Sequence, residues 1–493
     1  MGESNETSIY KAARKIKRRD NSLYNALRSI YEDSIFVGEI SQLWPGLPLL
    51  ANLRCGLWYS DPSKFHSTCY FKSTDGHANN WSFNTSRLNL HVALLCGERG
   101  GCMIVDATRK GKRFPDSMSK TIPIWACVLN RAVERFRRRK ESGLHELAGK
   151  LENGDDNWDS SMHLPLWVSE NEKAAIEERV EDWTDELEAS GADIGLISSC
   201  LKKPLRPLWI SQKSVIWLNE VPDQDSWDFT PVILVSASSQ SGFPQRITTC
   251  EFSWTYIPGA ADDEESWARG LQPFLFWKHA HHLISSFPES CNQKVANIVE
   301  NHRLFCSYRP SQSPLPTHIS RSFFDIVSQP LENSIFWLGS TNVALSPRQF
   351  ADSSNADCLL SCCDDFKRSC SFDSRFFLHL PIVKTDKFSI MKNLPAAVSF
   401  AKGHLSLGRT LLVCCDSGED ISVCICLAIL SSLFNDEGAY DDGAFFKSTK
   451  ISKQSMRRRL VFICKYATIA RPSRRNVKQV YAFLTNSIIS SSI

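Results

Sequence analysis

At 493 residues the chain exceeds what one hydrophobic core usually serves, so two or three domains are expected. Hydrophobic residues make up 42% and charged residues 23%, with 14 Trp and 28 Phe, a balance that excludes a fibrous chain or one disordered over most of its length. The net charge is only +3, so a polyanionic partner must be argued from local clusters. The longest apolar run, Ser422 to Phe434, is short of the roughly 20 residues a bilayer requires, and the N-terminus opens polar and basic. A cytoplasmic protein, neither exported nor inserted in a membrane, is expected. The 18 Cys are scattered without any C-x-x-C pair, which suits reduced thiols better than a disulfide scaffold.

From Ser8 to about Ile40, apolar residues recur at helical spacing among Lys11, Arg14, Lys15, Lys17, Arg18 and Arg19, predicting one or two amphipathic helices that Pro45 and Pro48 end. Between Leu53 and Val105 short apolar runs alternate with Gly, Asn and Asp, and Cys102 to Val105 reads as a buried strand ending at Asp106. Arg131, Arg135, Arg137, Arg138, Arg139 and Lys140 follow an apolar segment, and Gly143 to Ser161 is acidic and loop-like. Ser169 and Glu172 form an S-x-x-E capping box before a helix carrying Ile176, Val180, Trp183 and Leu187 on one face, ended by Gly191. The Ser/Pro-rich stretch Ser307 to Ser320 reads as a linker. Beyond it come strands at Ser334 to Leu338 and Phe376 to Val383, a helix from Ile390 to Lys402, a strand Thr410 to Cys414 and a helix from Ser422, the order of a parallel-sheet α/β domain. Lys447 to Lys478 then holds many bases and no acid. Three distant basic tracts suit a long phosphate backbone better than one small ligand; the alternative for each is a solvated helix face.

The strand Leu411 to Cys414 runs into Cys415, Asp416, Ser417, Gly418, Glu419, Asp420, Ile421 and Ser422 and then a helix, which aims backbone N–H groups at one point and predicts an anion site. The segment resembles the phosphate loop of protein tyrosine and dual-specificity phosphatases: Cys, two residues, Gly, two residues, Arg, Ser. Cys415, Gly418 and Ser422 match, and Leu380, Pro381, Ile382 and Asp386 lie where such enzymes carry the strand and loop of their general acid. Ile421 replaces the clamping Arg, and Asp416, Glu419 and Asp420 would raise the thiol pKa and repel a dianion, so phosphatase activity is not expected. Cys415, Ser417, Gly418, Asp420 and Ser422 are expected instead to cradle a phosphate. Cys358, Cys362, Cys363 and Cys370 with His379 fit no common zinc spacing, and ordinary buried thiols are the alternative.

The run from Tyr70 to Asn89, with Lys72, Ser73, Thr74, Asp75 and His77, is dense in donors and acceptors. The strand ending at Asp106 then delivers Thr108, Arg109, Lys110, Lys112 and Arg113 to its C-terminal end, where α/β folds place ligands. These two runs, with Tyr256-Ile-Pro-Gly-Ala-Ala-Asp-Asp-Glu-Glu-Ser-Trp267, closely resemble the initiator tRNA ribosylphosphate transferases of fungi and plants over nearly the whole chain. The resemblance implies a mixed α/β transferase domain at 1–320 and a phosphatase-like α/β domain at 321–493. It implies transfer of 5-phosphoribosyl from phosphoribosyl diphosphate to the 2′-hydroxyl of adenosine 64 of initiator methionine tRNA, which marks that tRNA for initiation. Displacing pyrophosphate calls for a proton acceptor, metal-holding acids and bound phosphates. Asp75, His77, Asp106 and Asp263 are the catalytic candidates, Asp262 and Asp263 the Mg²⁺ ligands, and Lys72, Ser73, Thr74, Thr108, Arg109, Lys112 and Arg113 the phosphate binders. Arg137, Arg138, Arg457, Arg458, Arg459, Arg474 and Arg475 are expected on the tRNA backbone. Asp262 to Glu265 also read as an acidic first helical turn with Trp267 facing the core. An inactive RNA-binding protein, or a phosphatase acting on RNA or lipid, is the alternative.

Overall fold

A computed structural model describes residues 6–108, 112–145, 158–217, 220–239, 246–248, 253–307, 335–362, 375–383, 386–436, 438–449, 451–467 and 469–490. Arg109, Lys110, Cys363, Cys370, most of the acidic stretch after Gly143 and nearly all of the Ser/Pro-rich stretch lie outside the described residues, as do the side chains of Lys11 to Arg19. The chain divides into two compact units: Met1–Phe83, Val92–Thr184 and Ile194–Val327 form the first, and Asn84–His91, Asp185–Asp193 and Ser328–Ile493 the second.

The first unit opens with a single helix, Glu6–Leu43. Leu23, Leu27, Ile30, Val37 and Ile40 recur three, four and seven residues apart, and all are buried. Its sheet contains β1 (Leu49–Asn52), β2 (Ser67–Cys69), β3 (Cys102–Asp106), β4 (Leu205–Ser211) and β5 (Thr230–Ser236), all parallel, in the order β2-β1-β3-β5-β4. Every residue of β3 and β5 is buried, as expected of parallel strands covered on both faces, and this is why β3 reads as an uninterrupted apolar run. A short antiparallel pair, β6 (Arg246–Thr248) and β7 (Ser253–Thr255), stands apart from the sheet. β1 has no counterpart in the sequence reading, because four residues between Pro48 and Leu53 are too few to show a period. The helix expected after Ser169 is two helices, Glu170–Glu177 and Val180–Ala189, with Ile176, Val180, Trp183 and Leu187 all buried. Ser169 caps the first by accepting from Glu172 N–H at 3.3 Å. Glu172 does not close the expected box; its carboxylate instead accepts from Lys120 Nζ at 2.9 Å and Trp81 Nε1 at 2.8 Å.

The second unit holds β8 (Phe336–Trp337), β9 (Val343–Pro347), β10 (Cys358–Ser361), β11 (Phe377–His379) and β12 (Leu411–Cys415) in the order β11-β10-β12-β9-β8, parallel except for β8. The helix Ile421–Leu433 is buried from Ser422 onward, which explains the longest apolar run of the sequence: it is the centre of a core, not a membrane span. No helix among the described residues is long and apolar enough to cross a membrane.

One buried acid in the first unit had no signal in the sequence. Asp33 is 1% exposed, and its carboxylate accepts from Tyr256 Oη at 2.7 Å, Gln212 Nε2 at 2.8 Å and Ser238 Oγ at 2.8 Å. Burial, only partly offset by these donors, pushes its pKa up to about 7. A pKa raised on folding stabilises most below the unfolded value and loses that contribution as pH rises through about 7. Asp33→Asn is therefore expected to flatten the decline of thermal stability between pH 4 and pH 8, as read by calorimetry; an unchanged slope would mean that Asp33 does not titrate there.

Candidate active site

Strand order marks a switch point before any side chain is considered. β1 connects to β2 on one side, whereas the chain leaves β3 toward β4 on the other, so the connections diverge between adjacent β1 and β3. Open α/β sheets bind ligands at the carboxyl ends of strands at such a switch point. Asn52 ends β1 and Asp106 ends β3 there.

Asp106 is fully buried and its lone pairs are occupied. Oδ2 accepts from Asn52 Nδ2 at 2.8 Å, Arg54 Nε at 3.0 Å and Ser117 Oγ at 2.8 Å, while Oδ1 accepts from Cys55 Sγ at 3.0 Å and Ala107 N–H at 2.9 Å. A carboxylate so engaged fixes the geometry of the groups around it. Arg54 Nη1 also pairs with Asp262 Oδ1 at 2.8 Å, and Nη2 donates to the Ala107 carbonyl at 2.5 Å. Burial opposes the Arg54 charge, and Asp106, Cys55 and Asp262 together outweigh that opposition, so the guanidinium stays above its ordinary range. Burial, reinforced by Asp106, holds the Cys55 thiol well above its usual value. Asp262 is thus committed to Arg54, Asp263 is exposed beside it, and among the described residues no three His, Cys, Asp or Glu gather to hold a metal.

The polar run after Tyr70 meets this switch point. Ser73 to Gly76 form a 3-10 turn, and a π-type turn, Ser117–Thr121, leads into the helix Ile122–His145. The two turns pack closely: Ser117 N–H donates to Ser73 Oγ at 3.3 Å, and Thr121 Oγ1 to the Lys72 carbonyl at 3.0 Å. Gly76 is required between them, because a Cβ there would lie 2.6 Å from the Asp116 carbonyl oxygen. Asp75 is buried, Thr74 exposed and Thr108 buried, while Lys72 Nζ lies 5.4 Å from the centre of the Tyr70 ring. Beside this turn Asp116 gathers three cationic or protonatable groups: His77 Nε2 at 3.6 Å, Lys112 Nζ at 2.8 Å and Lys120 Nζ at 3.9 Å. His77 is half exposed. Arg113 donates to Ser211 Oγ at 2.7 Å and Ser214 Oγ at 3.2 Å. Asn52, Arg54, Asp116, Ser117 and Lys120 escaped the sequence reading, although Asp116, Ser117 and Lys120 lie in the run Gly100 to Trp125 that carries the resemblance.

In the second unit Cys415 ends β12 with Sγ 3.2 Å from Ser422 Oγ and accepting from Gly418 N–H at 3.2 Å. Gly418 has φ 73°, and a Cβ would meet Pro347 N at 2.6 Å, so the loop tolerates no side chain there. Ser417 is exposed. Asp420 is drawn away from the cradle, since it accepts from Ser473 N–H and Asn476 Nδ2, each at 2.9 Å. Burial raises the Glu419 carboxyl against the opposing Arg471, whose Nη1 lies 3.7 Å from it. Asp386 pairs with Lys392 at 2.8 Å.

The basic tracts divide by burial. Arg457 and Arg458 are exposed on the helix Lys453–Tyr466, and Arg474 and Arg475 are exposed at the start of the helix Arg474–Ser490. Arg459, expected on the tRNA, is 6% exposed instead: it donates to the Leu430 and Phe434 carbonyls at 3.3 and 3.1 Å and pairs with Asp436 at 2.8 Å. Burial pushes its guanidinium below the ordinary value despite Asp436. Arg137 is likewise occupied, 4.0 Å over Trp158 and 2.7 Å from the Leu201 carbonyl, whereas Arg138 is exposed and pairs with Glu134 at 2.5 Å. Arg459→Ala is expected to cost about 3 kcal/mol in urea unfolding, because it strands buried acceptors, while Arg457→Ala with Arg458→Ala leaves stability within about 0.5 kcal/mol. Equal stability of the two variants would contradict this assignment.

Comparison with known proteins gives two family matches: residues 16–300 match the model described as the Rit1 N-terminal domain, and residues 375–484 the model described as the Rit1 DUSP-like domain. An uncharacterized protein of Schizosaccharomyces pombe is 36% identical over 279 residues, 57% of this chain and 57% of that protein. The tRNA A64-2′-O-ribosylphosphate transferase of Saccharomyces cerevisiae is 34% identical over 308 residues, 57% of this chain and 55% of its own length. The matched region thus spans little more than half of either relative. Among solved structures, human DUSP28 matches at 13% identity and TM-score 0.24, covering 32% of this chain and 97% of that one. The Yvh1 phosphatase domain of Chaetomium thermophilum matches at 19% and 0.25, covering 31% and 96%.

Proposed function

The chain belongs to the Rit1 family, and from that membership we propose that it transfers 5-phosphoribosyl from phosphoribosyl diphosphate to the ribose 2′-hydroxyl of adenosine 64 in initiator methionine tRNA, in the cytoplasm. The observation that carries the reading is the group around Asp116 at the β1/β3 switch point, where an exposed imidazole and two lysines converge on one carboxylate. In the reaction the bond from the donor C1 to the diphosphate oxygen breaks and a bond from C1 to the 2′-oxygen forms. The hydroxyl proton passes to His77, and pyrophosphate leaves. An imidazole held by a carboxylate is suited to accept that proton, and its exposure suits an acceptor as large as a tRNA. Lys72 and Lys112 offset the charge gathering on the departing diphosphate. Mg²⁺ enters as the counter-ion of the donor, as part of the substrate, because among the described residues no three His, Cys, Asp or Glu gather to hold it.

Two further assignments belong to the same proposal. The chemistry lies within 1–320, and the phosphatase-like part, 321–493, binds phosphate without covalent catalysis, since the Cys415 and Gly418 cradle keeps its amides while Ile421 stands where the clamp would be. Arg138, Arg457, Arg458, Arg474 and Arg475 contact the tRNA backbone. The decisive assay incubates the purified protein with initiator tRNA and labelled phosphoribosyl diphosphate. Label retained at adenosine 64 supports the reading, and its absence in a folded protein that still binds tRNA would refute it.

A further inference from the structure

Trp167 presents an arrangement that the transfer chemistry does not use. One face of its indole stacks on Phe114, with ring centres 4.8 Å apart and planes within 7°. Trp209 meets it in a T-shaped contact, with ring centres 6.0 Å apart and planes at 79°, and Nε1 donates to Ser119 Oγ at 3.3 Å. Trp209 is itself fixed, because its Nε1 donates to the Met118 carbonyl at 2.9 Å. Three contacts therefore lock the plane of Trp167, yet the residue is 50% exposed and Leu166 beside it fully so. With one face on Phe114, half of the residue's surface is still left to water. A Trp serving only the core would bury more of its surface; Phe114, its stacking partner, is 4% exposed.

We propose that Trp167 is a stacking platform for an unpaired or splayed-out nucleobase of the RNA substrate. The inference rests on the proposed tRNA acceptor and specifies how it is held. Phe114 follows Lys112 and Arg113 and precedes Asp116, so the platform grows from the loop that carries the partner of His77. Arg113 lies 5.4 Å from the Phe114 ring centre, its fork tied to Ser211 and Ser214, which places a fixed cation at the base of the stack. A rigid π-face beside basic side chains is the chemistry that receives bases of single-stranded or splayed RNA. The donor has no aromatic base, so the occupant comes from the acceptor.

The test measures initiator tRNA affinity of the full chain at several salt concentrations for wild type and for Trp167→Ala, Trp167→Phe and Trp167→Leu, with thermal unfolding as a control. Trp167→Ala is expected to weaken binding about 10-fold to 100-fold, the scale of one lost base stack, and Trp167→Phe to stay within about threefold of wild type. The salt slope should not move, because stacking releases no counterions. Unchanged affinity in Trp167→Ala overturns the platform. So does full affinity in Trp167→Leu, which keeps apolar area without a π-face and would indicate a protein docking patch. Label transfer is followed in parallel on wild type: its absence would refute the proposed function, while the binding series still decides the platform.

Discussion

Replacing His77 by alanine is expected to lower phosphoribosyl transfer by about 100-fold to 1,000-fold, the usual scale for losing a positioned acid or base, with tRNA affinity little changed. His77 is half exposed and contributes no core packing, so the fold has no reason to respond. Its exposure also permits a test that a structural residue would fail: free imidazole should restore part of the activity of His77→Ala. Asp116→Asn should cost less than His77→Ala, because it removes the carboxylate 3.6 Å from the ring while leaving the imidazole in place. Normal turnover in His77→Ala would place the proton acceptor elsewhere, and Asp75, buried in the adjoining 3-10 turn, would be the next residue to replace.

What the sequence disclosed of this site, and what it withheld, follows from the range of each signal. β3 and its terminal Asp106 were legible because a strand buried on both faces is a continuous apolar run. The surroundings of Asp106 were not, because the parallel pairing of β1 with β3 brings it Asn52, Arg54 and Cys55, and the turn at Ser117 brings it a fourth donor. Arg54 stands among Asn, Leu and Cys in a segment without period, and nothing local distinguishes it from a surface base. Arg459 is the opposite case, since the needed signal was local. Met456, Leu460 and Ile463 mark the buried stripe of its helix, and Arg459, three residues after Met456, falls on that stripe while Arg457 and Arg458 do not. Counting bases along the tract hid this distinction; reading them by helical face reveals it. Asp420 shows a third limit: its partners Ser473 and Asn476 lie more than fifty residues away, so the acid that looked placed to face a phosphate is held by donors no spacing could have shown.

The largest effect on stability is expected from Arg54→Ala. Arg54 is 19% exposed along its side chain, and its fork joins two carboxylates, Asp106 and Asp262, to the Ala107 carbonyl. Removing it leaves Asp106, which is fully buried, without its counter-charge, and breaking a buried pair in this way costs about 3–5 kcal/mol in urea unfolding. Asp262→Asn should cost less, because that carboxylate is 13% exposed and water takes up part of what Arg54 gives it. The pairs separate in a double-mutant cycle: Arg54→Ala combined with Asp106→Asn should be less damaging than the sum of the two single changes, since the second removes the charge stranded by the first. Arg54→Lys distinguishes charge from shape. An ammonium can neutralise Asp106, but it lacks the planar fork that reaches Asp106, Asp262 and the Ala107 carbonyl together, so it should recover part of the stability and little of the transfer activity. Full recovery of both by lysine would mean that the end of β1 needs only a positive charge there, and that the joining of Asp262 to the switch point has no part in catalysis.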